Sequence, residues 1–101
     1  MTIAVEISGS VATVILSGGI DYKTQDDFKK ANKQALSADG VTEIVVDFTN
    51  ATFLDSAGIR ALLILQKEAD ESGKSVLLFN CNPYMRSIFE IGGFDKMLKF
   101  R

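Results

Sequence analysis

The sequence contains no histidine, no tryptophan, one proline and one cysteine, Cys81, among its 101 residues. Without histidine, the chain cannot build a Ser-His-Asp or Cys-His nucleophile from its own residues. Zinc sites made of Cys and His ligands are excluded for the same reason. A lone cysteine can form neither an internal disulfide nor a CxxC redox pair. Carboxylates are present, so a metal site built only from oxygen ligands stays open.

Long apolar runs and basic runs are also missing. No segment reaches the roughly 18 uninterrupted apolar residues that a membrane helix needs. The N-terminal stretch MTIAVEIS lacks the basic region and apolar block of a signal peptide. Lysine and arginine occur as singles and pairs, not as the basic patches that follow a phosphate backbone. We therefore expect a cytoplasmic protein that neither inserts into a membrane nor binds nucleic acid.

The composition that remains is that of one ordinary globular domain. Hydrophobic residues make up 47% of the chain, charged residues 24%, and the formal net charge is −2. This length can enclose one hydrophobic core and is too short for two. We predict a single domain over residues 1–101.

The hydrophobic pattern alternates between strand and helix periods. Ile3, Val5 and Ile7 alternate with polar residues, which is typical of an edge strand, and a turn at 8–10 leads into a second strand over 11–16. Gly18-Gly19 is expected to end that strand. The next predicted elements are a helix capped by Thr24 and ended by Asp39-Gly40, a strand over 43–48 covered on both faces, and a loop over 49–55. A second helix is expected from about 57 to 72, ended by Gly73, and a strand over 76–79. A third helix begins at Asn82-Pro83, with Tyr84, Ile88 and Ile91 facing inward, and a short last strand covers 97–100.

This order, ββαβαβα with a final β, predicts an α/β fold. The sheet should be mixed and mostly parallel, with an N-terminal β-hairpin and helices packed on it. Sites in such folds lie beyond the carboxyl ends of the strands. We therefore expect the loops over 18–23, 49–56 and 80–82 to meet at one place.

The segment FLDSAGIRALL lies in the middle one of these loops and opens the second helix. One interpretation is structural, because Asp55 or Ser56 can cap the helix by accepting hydrogen bonds from its free amides. The other is functional, because a phosphate on Ser56 would meet those amides and the positive end of the helix dipole. The local pattern leaves both open.

The longer run VDFTNATFLDSAGIRALL resembles the signature of the STAS domain family. That signature has an acidic strand end, a loop with an apolar residue, and Asp-Ser-Ser-Gly-Leu at the start of a helix. The matching residues here are Asp47, Phe53, Asp55, Ser56, Gly58 and Ile59. Residues 17–21 are similar to the family's Gly-Glu-Leu-Asp segment. Two positions depart from the pattern, since Ala57 replaces the second serine and Gly19 stands where many members have Glu.

The resemblance implies a non-enzymatic regulator that works without a cofactor, like the bacterial anti-sigma-factor antagonists. Ser56 would be the phosphoacceptor of a Ser/Thr kinase that is also the anti-sigma factor, and a phosphatase would reset it. The implied partner surface consists of Asp21, Asp55, Ser56, Ala57, Gly58 and Ile59. The free protein is expected to be a monomer, and the output would be sigma-factor control, a stress response, or biofilm and polysaccharide regulation.

Alternatives remain at this point. The first alternative is that the domain is a constitutive STAS subunit of a transporter or lipid-transport complex. An enzyme would need an unusual base such as Lys23 or Lys74. A response-regulator receiver would use Asp47 as its acceptor, but the acidic pair and lysine that a receiver needs are missing. Among other residues, Thr49 and Thr52 are secondary phosphorylation candidates, and Ile59 and Met85 fit either a contact patch or the core.

Overall fold

The computed structural model describes residues 2–101. Its elements are β1 (Thr2–Ser8), β2 (Val11–Ile20), α1 (Gln25–Ser37), β3 (Glu43–Leu54), α2 (Ser56–Glu71), β4 (Ser75–Phe79), α3 (Pro83–Ile91) and a short 3₁₀ helix (Phe94–Lys96). The predicted order ββαβαβα is confirmed. Within the described residues, no helix is long and apolar enough to cross a bilayer.

The four strands form one sheet in the order β1-β2-β3-β4. β1 pairs antiparallel with β2, whereas β2–β3 and β3–β4 are parallel. The predicted mixed, mostly parallel sheet with an N-terminal hairpin is therefore confirmed. The two parallel pairs bring the carboxyl ends of β2, β3 and β4 to one end of the sheet.

The main core lies on one face of this sheet. Helices α1 and α2 contact each other, and their buried side chains join those of every second strand residue in one apolar cluster. That cluster includes Ile44 and Val46 of β3 but not Val45. The predicted burial of both faces is confirmed at the apolar centre of β3, where Ile44, Val45 and Val46 are all buried. Val45 lies on the face away from the main core, between its register partners Thr13 and Leu77 in the neighbouring strands.

β2 and β3 continue further than the sequence pattern indicates. The predicted end of β2 at Gly18-Gly19 and the predicted loop over 49–55 are both wrong, because the strands stay paired until Ile20 lies opposite Leu54. Register shifts between Ile15 and Ser17, and between Gly18 and Gly19, accommodate the extra residues of β3. Irregular pairing of this kind hides the two-residue period on which strand prediction depends.

The C-terminal third differs in two respects. In α3 the buried side chains are Met85 and Phe89, whereas Tyr84 is 65% and Ile91 86% exposed, so the predicted inward stripe was wrong by one residue. The predicted last strand is reduced to a single parallel bridge between Leu78 and Phe100. This segment still covers the outer edge of β4, because Arg101 N–H donates to the Leu78 carbonyl and Leu78 N–H donates to that of Lys99.

Candidate modification and partner-binding site

The loops that follow β2 and β3 are held together at the carboxyl end of the sheet. The Asp55 amide donates to the Ile20 carbonyl over 3.0 Å, which continues the β2–β3 pairing by one step. In return, the Tyr22 amide donates to Asp55 Oδ2 over 3.2 Å. The two loops therefore form one connected surface, as the sequence predicted for 18–23 and 49–56.

Asp55 caps α2, and Ser56 does not. Asp55 Oδ1 accepts from the Gly58 amide at 3.0 Å, and the Asp55 backbone is extended, as an N-cap requires. Ser56 is the first helical residue, and it is exposed. Of the two capping candidates, Asp55 is confirmed and Ser56 was wrong. The serine thus stands at a helix N-terminus whose cap is already supplied by its neighbour.

The next three residues fix how closely α2 approaches the sheet. Gly58 is buried, and a methyl group there would overlap the Leu54 side chain and come within 3.1 Å of Ile20 Cγ2. Ala57 and Ile59 are half-buried. Ile59 faces a small apolar cleft that it shares with Met85 of α3. Ile59 therefore belongs partly to the core and partly to the surface, whereas Met85 is wholly core.

Asp21 organises its own loop. Its Oδ1 accepts from the amides of Lys23 (2.9 Å) and Thr24 (3.2 Å), while the Asp21 amide donates to Thr24 Oγ1 (2.9 Å). Thr24 occupies the N-cap position of α1 but makes no side-chain capping bond to that helix, so its predicted capping role was wrong. The half-buried Asp21 carboxylate is thus engaged within its own turn, beside the loop of Asp55.

Comparison with known proteins shows which family has this sequence and fold. A family model described as "STAS domain" matches residues 2–101. The chain belongs to the STAS domain family. A STAS-domain containing protein of Pseudomonas aeruginosa (strain UCBPP-PA14) is 33% identical over 91 residues, which cover 90% of this chain and 88% of that one. An anti-sigma F factor antagonist of Paenibacillus polymyxa is 26% identical over 98 residues, covering 97% and 84%.

The same fold is found in the anti-sigma factor antagonist SpoIIAA. The structure of its unphosphorylated form superposes with a TM-score of 0.77 at 22% identity, covering 99% of this chain and 87% of SpoIIAA. The phosphorylated form from Bacillus gives a TM-score of 0.76 at 22% identity, with 99% and 91% covered. At this identity the likeness establishes the fold, and the loops of this STAS domain must be judged on their own residues.

Two exposed aromatic residues of this STAS domain are close to Asp55, one through a hydrogen bond and one along the chain. Tyr22 is 66% exposed, in the loop whose amide binds Asp55, and Phe53 is 45% exposed, two residues before Asp55. The Phe53 ring lies over Gly19, where any Cβ would overlap it. A Glu at position 19, common in the family, would have to displace this ring. Tyr22 was missed in the sequence, although an aromatic beside Asp21 in a predicted surface loop was its signal.

The third predicted loop, 80–82, is linked to β3 by a polar network around Thr49, and no hydrogen bond of the described residues joins it to the loops of Asp21 and Asp55. Asp47 Oδ1 accepts from both the amide and the hydroxyl of Thr49, and Asn80 Nδ2 donates to Thr49 Oγ1 over 3.1 Å. Asp47 thus holds Thr49, which in turn links the middle of β3 to the residue that follows β4. Within residues 2–101 there is no group of three or more Cys, Asp or Glu placed to hold a metal ion. Asp47 therefore lacks the acidic neighbours that a receiver needs.

The candidate bases of the enzyme hypothesis lie in different places. Lys74 follows the far end of α2, where its ammonium donates to the Leu36 carbonyl. A helix of 16 residues is about 24 Å long, so Lys74 cannot reach Ser56. Lys23 lies in the loop beside Asp55, with its ammonium 5.9 Å from the centre of the Tyr22 ring.

Proposed function

We propose that this STAS domain is a non-enzymatic, phospho-switched binding protein of the anti-sigma-factor antagonist type. Ser56 is its phosphoacceptor, and the partner surface consists of Asp21, Asp55, Ala57 and Ile59 around it, with Tyr22 and Phe53 at its rim. Gly58, expected in this surface from the sequence, is buried and shapes the helix start beneath it. The partner is a Ser/Thr kinase that also acts as an anti-sigma-type regulator, and a phosphatase restores the free hydroxyl. The protein acts in the cytoplasm and is a monomer when free.

The observation that carries this proposal is the division of labour between Asp55 and Ser56. Because Asp55 supplies the cap, Ser56 has no capping task to explain its presence, and it is exposed at the first helical position. A phosphate there would face the positive end of the α2 dipole, so the fold itself would tolerate it. The small side chain of Ala57, next to Ser56, leaves an approaching enzyme room to reach the hydroxyl.

The same phosphate would be unfavourable for a docked partner. Phosphorylation adds roughly −1.5 to −2 charges at neutral pH. These charges would appear on the residue next to Asp55, and the proposed surface also carries the exposed side chains of Tyr22 and Phe53. A phosphate placed next to a carboxylate and within an apolar contact disrupts binding by repulsion and desolvation. We infer that the unphosphorylated form binds the kinase and that phosphorylation releases it.

Several outputs fit a switch of this kind. Sigma-factor control, a stress response, and biofilm or polysaccharide regulation differ only in what the partner controls. The partner's identity therefore decides among them.

The proposal is tested first by locating the phosphate. The chain is purified from cells of its own source with phosphatase inhibitors, and its phosphopeptides are measured by mass spectrometry. We expect phosphate on Ser56, and its loss in cells that express Ser56→Ala. Thr52 is exposed four residues before Ser56 and serves as an internal control. Phosphate on Thr52 with none on Ser56, in every growth condition sampled, would contradict the assignment.

Partner binding is tested separately with Ser56→Ala and Ser56→Asp as paired baits. We expect a kinase-type protein to be retained by Ser56→Ala and reduced roughly tenfold or more on Ser56→Asp, since one introduced charge repelled at an interface has about that effect. Asp70→Asn, at the far end of α2, is the matched charge control and should bind like the wild type. Equal retention by both Ser56 variants would point to a constitutive subunit of a transporter or lipid-transport complex.

A further inference from the structure

A groove runs along the seam between α1 and α2, apart from the surface around Ser56. Lys29, Asn32, Lys33 and Leu36 form its α1 wall, and its α2 wall includes Ile64 and Glu68. Its volume is about 140 Å³. One water occupies about 30 Å³ in the liquid, so the groove holds a group the size of four or five waters. It is smaller than the pockets of roughly 300–1,000 Å³ that take drug-sized ligands.

Asn32 makes this groove unusual. It is the one buried polar residue of the described chain, with only 4% of its surface exposed. Among residues 2–101, neither its Nδ2 nor its Oδ1 has a hydrogen-bond partner. Buried amides are almost always paired, because water no longer satisfies them. One unused donor group and one unused acceptor therefore lie side by side, buried just beneath the lining of the groove.

The other lining groups indicate which molecule would satisfy this amide. Lys29 and Lys33 lie on the same wall and are exposed, and they outnumber the single acid, Glu68. This favours an anion. Leu36 and Ile64 offer apolar contact for a short hydrocarbon segment. A carboxylate accepts but does not donate, so a second group with an O–H is needed for Asn32 Oδ1.

We propose that the α1–α2 groove binds a short hydroxycarboxylate of about four carbons. Its carboxylate accepts from Asn32 Nδ2 and from the ammonium of Lys29 or Lys33, and its hydroxyl donates to Asn32 Oδ1. Its carbon chain lies against Leu36 and Ile64. Because the amide atoms of Asn32 are buried, the lining must open for the ligand to reach them, and Ile64, at 37% exposed, belongs to that lining. This site is independent of any phosphate on Ser56.

The test is a nuclear magnetic resonance titration of the full chain labelled with ¹⁵N. The probe is 3-hydroxybutyrate. Butyrate, which lacks the hydroxyl, and 1,3-butanediol, which lacks the carboxylate, are the comparison compounds at equal ionic strength. We expect saturable shifts of the Asn32 side-chain amide with a dissociation constant in the millimolar range, as befits a ligand of about seven heavy atoms. Butyrate and the diol should each bind roughly fivefold more weakly or worse.

Variants assign the binding to the groove. Asn32→Leu removes the side-chain reporter itself, so binding to this variant is followed through the backbone amides of residues 29–36, which line the groove. Their saturable shifts should be lost, and the spectrum reports whether the variant folds. The exposed double variant Lys29→Gln/Lys33→Gln keeps the core intact and should weaken binding roughly fivefold or more. Lys67→Gln, an exposed lysine elsewhere on α2, and Ser56→Ala should bind like the wild type. The proposal is overturned if no probe saturates, if the diol binds as well as the hydroxy acid, or if the double lysine variant binds unchanged.

Discussion

At the scale of single residues, two neighbours at the start of α2 have different tasks. Asp55 uses both carboxylate oxygens, one for the Gly58 amide and one for the Tyr22 amide. Ser56 is exposed beside it. We predict that Asp55→Ala lowers the free energy of unfolding by about 1–2 kcal/mol, because it removes a cap and a tie between loops. Ser56→Ala should change it by less than about 0.5 kcal/mol.

Urea denaturation of the two variants, monitored by circular dichroism, measures this difference directly. Asp55→Asn keeps one acceptor oxygen and should recover most of the lost stability. If Ser56→Ala were as destabilising as Asp55→Ala, the serine would share the capping role, and the argument for its availability to a kinase would fail.

Cys81 gives a second prediction at this scale. The thiol is half-buried against the core, and burial raises its pKa from 9.0 to about 11, an effect that the positive charge of Arg86 partly offsets. The folded protein therefore holds the thiol proton more tightly than the unfolded chain, so this group disfavours the fold as the pH rises from 9 towards 11. At pH 8 we expect slow alkylation by iodoacetamide, accelerating about tenfold per pH unit up to the pKa. Urea-unfolded protein is the control, and equal rates in both states at pH 8 would contradict the burial.

At the scale of elements, the sequence patterns predicted which helices and strands exist better than they predicted where each one begins and ends. Helices α1, α2 and α3 follow apolar residues at helical spacing, and Asn82-Pro83 starts α3 where expected, with the Met85 amide donating to Asn82 Oδ1. The true ends of β2 and β3 were not predicted, because Gly18-Gly19 is typical of a turn when only the local sequence is considered. Tertiary pairing to β3, with the Phe53 ring covering Gly19, keeps that segment in the sheet. The α3 register failed because the short helix has two candidate apolar stripes, and only packing selects Met85 and Phe89.

The same scale explains why the site was only partly predictable. The motif put Asp55, Ser56 and Gly58 in order at one helix start, and the parallel topology brought the loop of Asp21 beside them. Which residue would cap was not determined by type, since both Asp and Ser are favoured there. Tyr22 and Asn32 depend on how the elements pack, and neither belongs to the motif.

Gly58 tests how α2 is seated on the strand ends. A methyl group at this buried position would overlap the Leu54 side chain and crowd Ile20. We predict that Gly58→Ala destabilises the fold by about 1–3 kcal/mol, the usual range for overpacking, despite alanine's better helix propensity. Ala57→Ser, one residue earlier and half-buried, is the control and should stay within about 0.5 kcal/mol. A Gly58→Ala protein more stable than the wild type would show that the helix start shifts freely.

At the scale of the whole molecule, the two edges of the sheet differ. β1 is an open edge with one charged residue, Glu6, whereas the outer edge of β4 is covered by the C-terminal segment. Phe100 anchors that segment. The centroid of the Phe100 ring lies 5.6 Å from the centroid of the Phe89 ring on α3. The guanidinium of Arg86, also on α3, lies 4.2 Å from the Phe100 centroid. Phe100 and its neighbours therefore connect α3 to β4 and cover the outer edge of β4.

We predict that Phe100→Ala acts on the whole fold by loosening this closure. Loss of a partly buried aromatic contact should lower the free energy of unfolding by about 2 kcal/mol. Release of the segment would also expose the β4 edge, so self-association should increase, because free strand edges pair with other chains. Urea denaturation gives the first quantity, and light scattering gives the second against the 11.0 kDa monomer expected for the wild type. Met97→Ala, in the same segment but 53% exposed, is the control and should change neither by much. If Phe100→Ala stayed monomeric and lost no more stability than Met97→Ala, the C-terminal segment would be an appendage to the fold and β4 would be protected by other means.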